Sequence, residues 1–136
     1  MSRRRQAIKR PIVSDAKYQS TLVSRLVNVV MERGEKSVAQ RIVYGALDQI
    51  ARKNQANDPL EILQRAVDNV KPRLEVKALA LRWLVKLANA RKGIPVKQGL
   101  AIEILEAYQG QGNAIRKRDE VHKMAQANKA FAHYRW

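Results

Sequence analysis

The sequence predicts an all-α protein, a bundle of about six short helices. From Ser20 onward, apolar residues recur with helical spacing almost throughout, and no region alternates convincingly with period two. Glycine or proline separates the apolar segments, which indicates short connections. At 136 residues the chain is most simply one domain, 1–136, and it contains no internal repeat.

The first two predicted helices meet at Gly34. The apolar face of the first helix runs from Leu22 to Val30 and stops at this glycine. The second segment, from Val38 to Ile50, repeats apolar residues at alternating spacings of one and three, which is typical of a wide stripe facing a core.

The third helix has both a start signal and a stop signal. Asp58 is a suitable N-cap, Pro59 fits the first helical position, and Glu61 completes a capping box three residues after the cap. Pro72 cannot continue a helix, so we predict that the third helix ends before it.

The fourth helix, ALALRWLVKLANARK, runs from Ala78 to Lys92 and is apolar over most of its circumference. At about 100° per residue, Arg82, Lys86 and Asn89 fall on one narrow polar strip. This pattern predicts a central helix that shows one basic line outward.

A fifth helix is predicted after Gly93 and Pro95, and a sixth after the sequence GQG, starting near Asn113. One stripe of the sixth helix has the spacing of a docking face, and we expect it to belong to the core. That stripe contains Val121, Met124, Asn128 and Phe131.

The net charge indicates a polyanionic partner. The chain has 27 Lys and Arg residues against 12 Asp and Glu, which gives +15 and a pI near 10.7. Such an excess raises self-repulsion in the folded state, so a polyanionic partner is the simplest explanation for it. Residues 1–12 are predicted to be a flexible basic arm that orders on its partner. The cations of this arm are Arg3, Arg4, Arg5, Lys9 and Arg10.

Other classes of protein find little support in the residues. There is no cysteine for a disulfide or a thiolate site, and no apolar run approaches a membrane span, so an intracellular location is expected. His122 and His133 lack the neighbours that a metal site needs. Glu103 and Glu106 have the spacing of a carboxylate pair, but we expect a solvated helix face. We therefore predict no enzyme activity, cofactor, metal or small-molecule substrate.

The last helix carries a cationic side. Arg118, His122, Lys129 and His133 fall within about 60° of one another on the helix, away from the docking stripe. For an average protein, a solvated and salt-bridged face would be the better interpretation. The net charge of this chain favours contact with phosphates and bases instead.

Three aromatic residues lie within the final six positions. Phe131 falls on the docking stripe, whereas Tyr134 and Trp136 have two interpretations. They either stack on unpaired RNA bases, at roughly 1–3 kcal/mol per base, or they pack against protein. Duplex DNA hides its base faces, so the rings favour RNA over DNA mildly.

Several long stretches resemble one family, the seventh protein of the small ribosomal subunit in its bacterial and organellar form. The resemblance begins with SRRR and DAKYQSTLVSRLVNVVMERGEKSVAQRIVYGALDQI and continues with DPLEILQRAVDNVKPRLEVK and ALALRWLVKLANARK. It ends with QGNAIRKRDEVHKMAQANKAFAHYRW and so covers nearly the whole chain in order.

The resemblance implies a helical protein that binds small-subunit ribosomal RNA, organises assembly of the subunit head, and lies near the tRNA exit site and the messenger RNA path. Neighbouring small-subunit proteins are its other implied partners. The turn that is typically Gly-Lys-Lys in the family is Gly34-Glu35-Lys36 here, so only Lys36 carries over.

The resemblance and the basic strip together give two sets of candidate residues. The ribosomal RNA-binding set contains the cations of the N-terminal arm together with Lys36, Lys77, Arg82 and Lys86. Residues 113–136 are interpreted as an RNA-facing helix with an aromatic tail. The set on its ribosomal RNA or tRNA side is Arg116, Lys117, Arg118, His122, Lys123, Lys129, Tyr134 and Trp136.

One departure from the family is large. The family places a basic β-ribbon arm between the third and fourth helices, whereas here Val76-Lys77 runs directly into Ala78-Leu79. Either the protein lacks the arm, or the sequence lacks a segment. We favour the second explanation because Val76-Lys77 resembles the start of the ribbon, and an intact mass above 15.5 kDa would support it. Without the ribbon, RNA anchoring rests on the helices and the N-terminal arm.

Two other functions are weaker alternatives. A helix-turn-helix DNA regulator reads the major groove with one recognition helix, but the cations here are dispersed over both termini and the fourth helix. A small basic enzyme has no site to support it. The predicted location is the ribosome of a bacterial cytoplasm or of an organelle.

Overall fold

The computed structural model describes residues 11–55, 57–72 and 78–129. These residues form six α-helices and no strand. The all-α prediction is confirmed, and the described helices follow the predicted order. They are α1 (Thr21–Val30), α2 (Lys36–Lys53), α3 (Pro59–Val70), α4 (Ala78–Ala90), α5 (Val96–Tyr108) and α6 (Asn113–Asn128).

Side-chain caps fix where two of the helices begin. The Asp58 carboxylate accepts a hydrogen bond of 3.1 Å from the Leu60 N–H, and Pro59 occupies the first turn of α3, as predicted. At the start of α1, the Ser20 hydroxyl accepts from the Leu22 N–H at 3.2 Å. Each cap satisfies a backbone donor that has no partner within its helix.

The core lies around α4 and α5. Helix α5 packs against α2, α3, α4 and α6, while α4 packs against α1, α3, α5 and α6, so both are central. Leu84 of α4 and Leu100 and Ile104 of α5 are almost completely buried. A Cβ at Gly99 would lie 2.8 Å from the Ala88 carbonyl oxygen, so the close approach of α4 and α5 requires glycine there.

Helix α6 differs from its prediction. Its buried residues are Ala114 and Ile115, both in its first turn. Met124 is 55% exposed and Asn128 is also exposed, so the docking stripe does not belong to the core at these two positions; Val121 is half-buried, and Phe131 lies outside the described residues. The reason is that α6 meets the bundle through its N-terminal end, and an apolar stripe farther along it has no described helix to cover it.

Candidate nucleic-acid interface

The polar strip of α4 faces outward as predicted. Arg82, Lys86 and Asn89 are exposed, whereas Leu84 and Val85 on the same helix are buried. In the part of the chain that the structure describes, neither Arg82 nor Lys86 has an ion-pair partner. An exposed and unpaired cation contributes little to folding and is available to an anion.

The turn between α1 and α2 carries two exposed cations beside two exposed acids, Glu32 and Glu35. Lys36 opens α2 and is exposed, and Arg33 lies three residues before it, also exposed. Arg33 and Gly34 both have positive φ, at 49° and 81°, so the turn is left-handed at both positions. Arg33 was not among the predicted residues, although its position beside Gly34 in a helix–helix turn would have indicated it.

Most of the predicted cations of α6 are exposed, and Arg118 differs from them. Arg116, Lys123 and Lys129 are exposed, and Lys117 is exposed and pairs with Glu120 at 3.1 Å. His122 on the same helix is half-buried. Beyond its first turn, α6 has no buried residue, so an external partner can reach these side chains.

Arg118 is the exception on α6 because the fold uses it. Its Nη1 donates a hydrogen bond of 2.6 Å to the Asn69 carbonyl oxygen in the last turn of α3, and its Nε and Nη2 donate to Asp119. Asn69 in turn donates from Nδ2 to the Ala107 and Tyr108 carbonyl oxygens at the end of α5. The last carbonyls of a helix lack intrahelical partners, so this relay joins α3, α5 and α6.

A partly buried ion-pair network joins the end of α4 to α5. Arg91 donates from Nε to Glu103 Oε1 at 2.8 Å and from Nη2 to Glu106 Oε2 at 2.7 Å. The Glu103 side chain is 0% exposed, so the expected solvated carboxylate face was wrong for this residue. Burial acts to lower the pKa of Arg91, but the two carboxylates outweigh it and raise the pKa above its usual value.

A second polar cluster ties the segment before α1 to α2. The carboxylate of Asp15 is buried and accepts hydrogen bonds from the Tyr44 hydroxyl at 2.7 Å and from the Lys17 and Tyr18 N–H groups at 3.1 Å. Burial acts to raise the pKa of Asp15, but these hydrogen bonds hold it below its usual value. Lys17 continues the cluster through an ion pair of 3.0 Å with Asp48.

Several predicted residues lie outside the described ranges. They are the arm cations Arg3, Arg4, Arg5, Lys9 and Arg10, together with Lys77, Phe131, His133, Tyr134 and Trp136. Among the described residues, no group of three or more His, Cys, Asp or Glu side chains could hold a metal ion. None of the described helices is long and apolar enough to cross a membrane.

The fold and its surface define a class of protein: a basic helical bundle whose exposed cations lie on several separate faces. The sequence model of the family described as ribosomal protein S7p/S5e matches residues 2–80 and 77–129. The chain belongs to this family. The family is one of structural ribosomal proteins, so the chain is a structural protein and not an enzyme.

Relatives match the chain over its whole length. The small ribosomal subunit protein uS7 of Dictyoglomus turgidum is 48% identical over 157 residues, covering 100% of both chains. The protein of the same name from Thermotoga maritima is 47% identical, covering 98% of this chain and 99% of the relative. That of Akkermansia muciniphila is 44% identical, covering 100% of both.

The family match breaks between α3 and α4, where the sequence lacks the family's β-ribbon arm. Alignment over 157 positions against a chain of 136 residues leaves 21 positions at which the Dictyoglomus turgidum protein has residues and this chain has none. The two matched pieces of the family meet at residues 77–80, at the start of α4. Only residues 71–77 connect α3 to α4.

Proposed function

We propose that the protein binds small-subunit ribosomal RNA directly and holds separate RNA segments in a fixed relation within the subunit head. The observation that carries this proposal is a set of exposed cations on different faces, none of which forms an ion pair within the described ranges. They are Arg33 and Lys36 at the α1–α2 turn, Arg82 and Lys86 on α4, and Arg116 and Lys123 on α6. The chain's membership of a ribosomal family supports ribosomal RNA as the polyanion.

The proposed mechanism is phosphate neutralisation on a rigid scaffold. Each cation that meets a phosphate releases condensed counterions, which favours binding without reading a base. Specificity then arises from RNA shape, because only RNA segments with the right spacing contact all the patches together. The Arg91 network and the Arg118 relay hold the α4 and α6 patches in a fixed relation, since Arg91 joins the end of α4 to α5 and the relay joins α6 to α3 and α5.

The finer placement is also a proposal. We place the N-terminal arm, with Lys77, against ribosomal RNA and the exposed part of α6, with Tyr134 and Trp136 beyond it, towards the tRNA exit site and the messenger RNA path. Neighbouring small-subunit proteins are the expected protein partners. The ribosome of a bacterial cytoplasm is the expected location. The family resemblance and the bacterial relatives support this placement.

The test is binding to a small-subunit head RNA fragment and to a DNA duplex of equal length across a salt series. We expect the head RNA to remain strongly preferred as salt rises, because shape-specific contacts add to the salt-sensitive phosphate contacts. Equal affinities that weaken in parallel would instead show a generic polycation and remove the proposal.

A further inference from the structure

A basic seam runs between α2 and α5, and none of its residues is among the candidates above. A depression there is lined by Gln49, Arg52 and Lys53 of α2 and by Gln98 and Ile102 of α5. Lys97 of α5 lies beside the preceding turn of α2, since a Cβ added at Gly45 would meet the Lys97 side chain at 3.5 Å. We call Gln49, Arg52, Lys53, Lys97 and Gln98 the α2–α5 seam.

No carboxylate of the described residues neutralises the cations of the α2–α5 seam. Arg52, Lys53 and Lys97 are exposed, and the described residues that line the depression include no acidic side chain. Within the same ranges, none of the three makes an ion pair, in contrast to Lys17 and Arg91. The three cations of the seam are therefore not held in ion pairs within the described ranges, and Asp48, one turn before Arg52 on α2, pairs with Lys17 instead.

The position of Lys97 shows that helix stability does not explain the seam. Arg52 and Lys53 lie in the last turn of α2, where a cation complements the helix dipole, so they stabilise α2 by themselves. Lys97 lies in the first turn of α5, where a cation is unfavourable, and this turn has neither an acid nor a capping side chain. An external anion on the seam would offset both the charge of Lys97 and the positive end of the α5 dipole.

We propose that the α2–α5 seam binds the phosphate backbone of a further segment of ribosomal RNA, an inference that rests on the proposed function. The described residues of the seam include no aromatic ring, whereas protein–protein hot spots are enriched in Trp and Tyr. The side-chain amides of Gln49 and Gln98 can both donate and accept, which suits ribose 2′-hydroxyls beside phosphates.

The Arg52–Lys53 end of the seam lies far from the α1–α2 turn. Arg52 and Lys53 lie at the opposite end of α2 from Lys36, about 25 Å away at the helical rise of 1.5 Å per residue. This separation exceeds the Debye length of about 8 Å at physiological salt. A phosphate held at one end of α2 therefore does not neutralise the other end, and the two patches bind different parts of the RNA backbone.

The experiment compares two double variants that each lose two positive charges. Arg52→Gln with Lys97→Gln removes charge from the seam, and Arg25→Gln with Lys92→Gln removes exposed charge elsewhere. With the head RNA fragment, we expect the seam variant to lose about tenfold or more in affinity and the magnitude of its salt slope to fall by roughly 1.4–1.8. We also expect it to lose backbone-cleavage protection over one RNA segment, while the control variant keeps every protection.

Two further variants distinguish an effect of charge on RNA binding from an effect on folding. Arg52→Lys with Lys97→Arg keeps both charges and is expected to retain the salt slope and the footprint. Lys97→Gln alone is expected to raise the melting midpoint by about 1–4 °C, because it removes a cation from a helix N-terminus, while it weakens RNA binding.

The outcomes distinguish this inference from the proposed function. If the unaltered protein prefers the head RNA but the seam variant keeps the slope and footprint of the control, the seam inference is overturned alone. Loss of binding to a partner protein with an unchanged RNA footprint would overturn it too, in favour of an acidic protein segment. If the unaltered protein has no preference for the head RNA over the DNA duplex, the proposed function and the seam inference fail together.

Discussion

Arg82 and Arg91 belong to the same region of the chain, one on α4 and the other just after it, yet they have opposite surroundings. Arg91 contacts two carboxylates, one of them on a side chain that is 0% exposed. Arg82 is exposed on the outer strip of α4 and has no ion-pair partner among the described residues. One arginine holds α4 and α5 together, and the other is available to a phosphate.

This difference shows how to divide the cations of a very basic protein. A net charge of +15 indicates a polyanion but does not say which cations contact it. Arg91 and Arg118 are committed to carboxylates and helix C-termini, so their removal is expected to act on stability. Removal of Arg82 and Lys86 is expected to act on RNA binding.

Arg91→Met tests whether Arg91 is a structural cation, and we expect it to have the largest effect on stability. We expect a loss of about 3–5 kcal/mol in the free energy of unfolding, because Glu103 is left buried without its cation. Denaturant unfolding measures this loss. Adding Glu103→Leu should recover most of the stability, since an apolar pair replaces the buried ions. A stability equal to that of the unaltered protein in the single variant would show that Arg91 is not a structural cation.

Asp15→Asn tests the other buried carboxylate and predicts a pH dependence. At neutral pH we expect a loss of about 1–3 kcal/mol, since an amide cannot accept all the hydrogen bonds of the carboxylate. The pKa of Asp15 is lower in the folded than in the unfolded state, so its stabilisation is present above the unfolded value of about 3.9 and is lost as pH falls through the lower folded value. The stability difference between the two proteins should therefore shrink below about pH 4, as urea titrations at several pH values would record.

Arg118→Met removes the relay between α6 and α3. We expect a smaller loss, about 1–2 kcal/mol, because the side chain is 28% exposed and water partly replaces its bonds. Amide hydrogen exchange should become faster in the first turns of α6 and at the end of α3. Lys117→Met is the matched control on α6, since the Lys117–Glu120 pair is exposed on both sides and contributes little. Equal exchange in both variants would count against the relay.

Arg82→Gln with Lys86→Gln should have the smallest effect on folding. We expect the free energy of unfolding to stay within about 0.5 kcal/mol, because both side chains are exposed. Binding to the head RNA fragment should weaken, and the magnitude of the salt slope should fall by roughly 0.7–0.9 for each phosphate that the variant no longer neutralises. Unchanged RNA binding would remove the outer strip of α4 from the proposed interface.

Local sequence signals predicted the helices because each signal acts within a few residues. Asp58 and Pro59 mark the start of α3, and Gly34 lies in the turn that follows α1, all through short-range backbone chemistry. The exposed strip of Arg82 and Lys86 followed from the same reasoning, since a helix with one polar line can face solvent only along that line.

Long-range placement was not predictable in the same way. Glu103 has the sequence pattern of a surface residue, and only the packing of α4 against α5 brings Arg91 to it. Met124 has the helical spacing of a core residue, but its burial depends on whether a neighbouring helix extends that far. The predicted cations Lys36, Arg116, Lys123 and Lys129 are exposed, while their RNA contacts remain a prediction.

Gly99 sets how closely the two central helices approach each other. The 2.8 Å between a Cβ at this position and the Ala88 carbonyl oxygen leaves no room for a methyl group, so any side chain at position 99 forces α4 and α5 apart. Because α4 and α5 together pack against all four of the other described helices, that displacement spreads through the bundle.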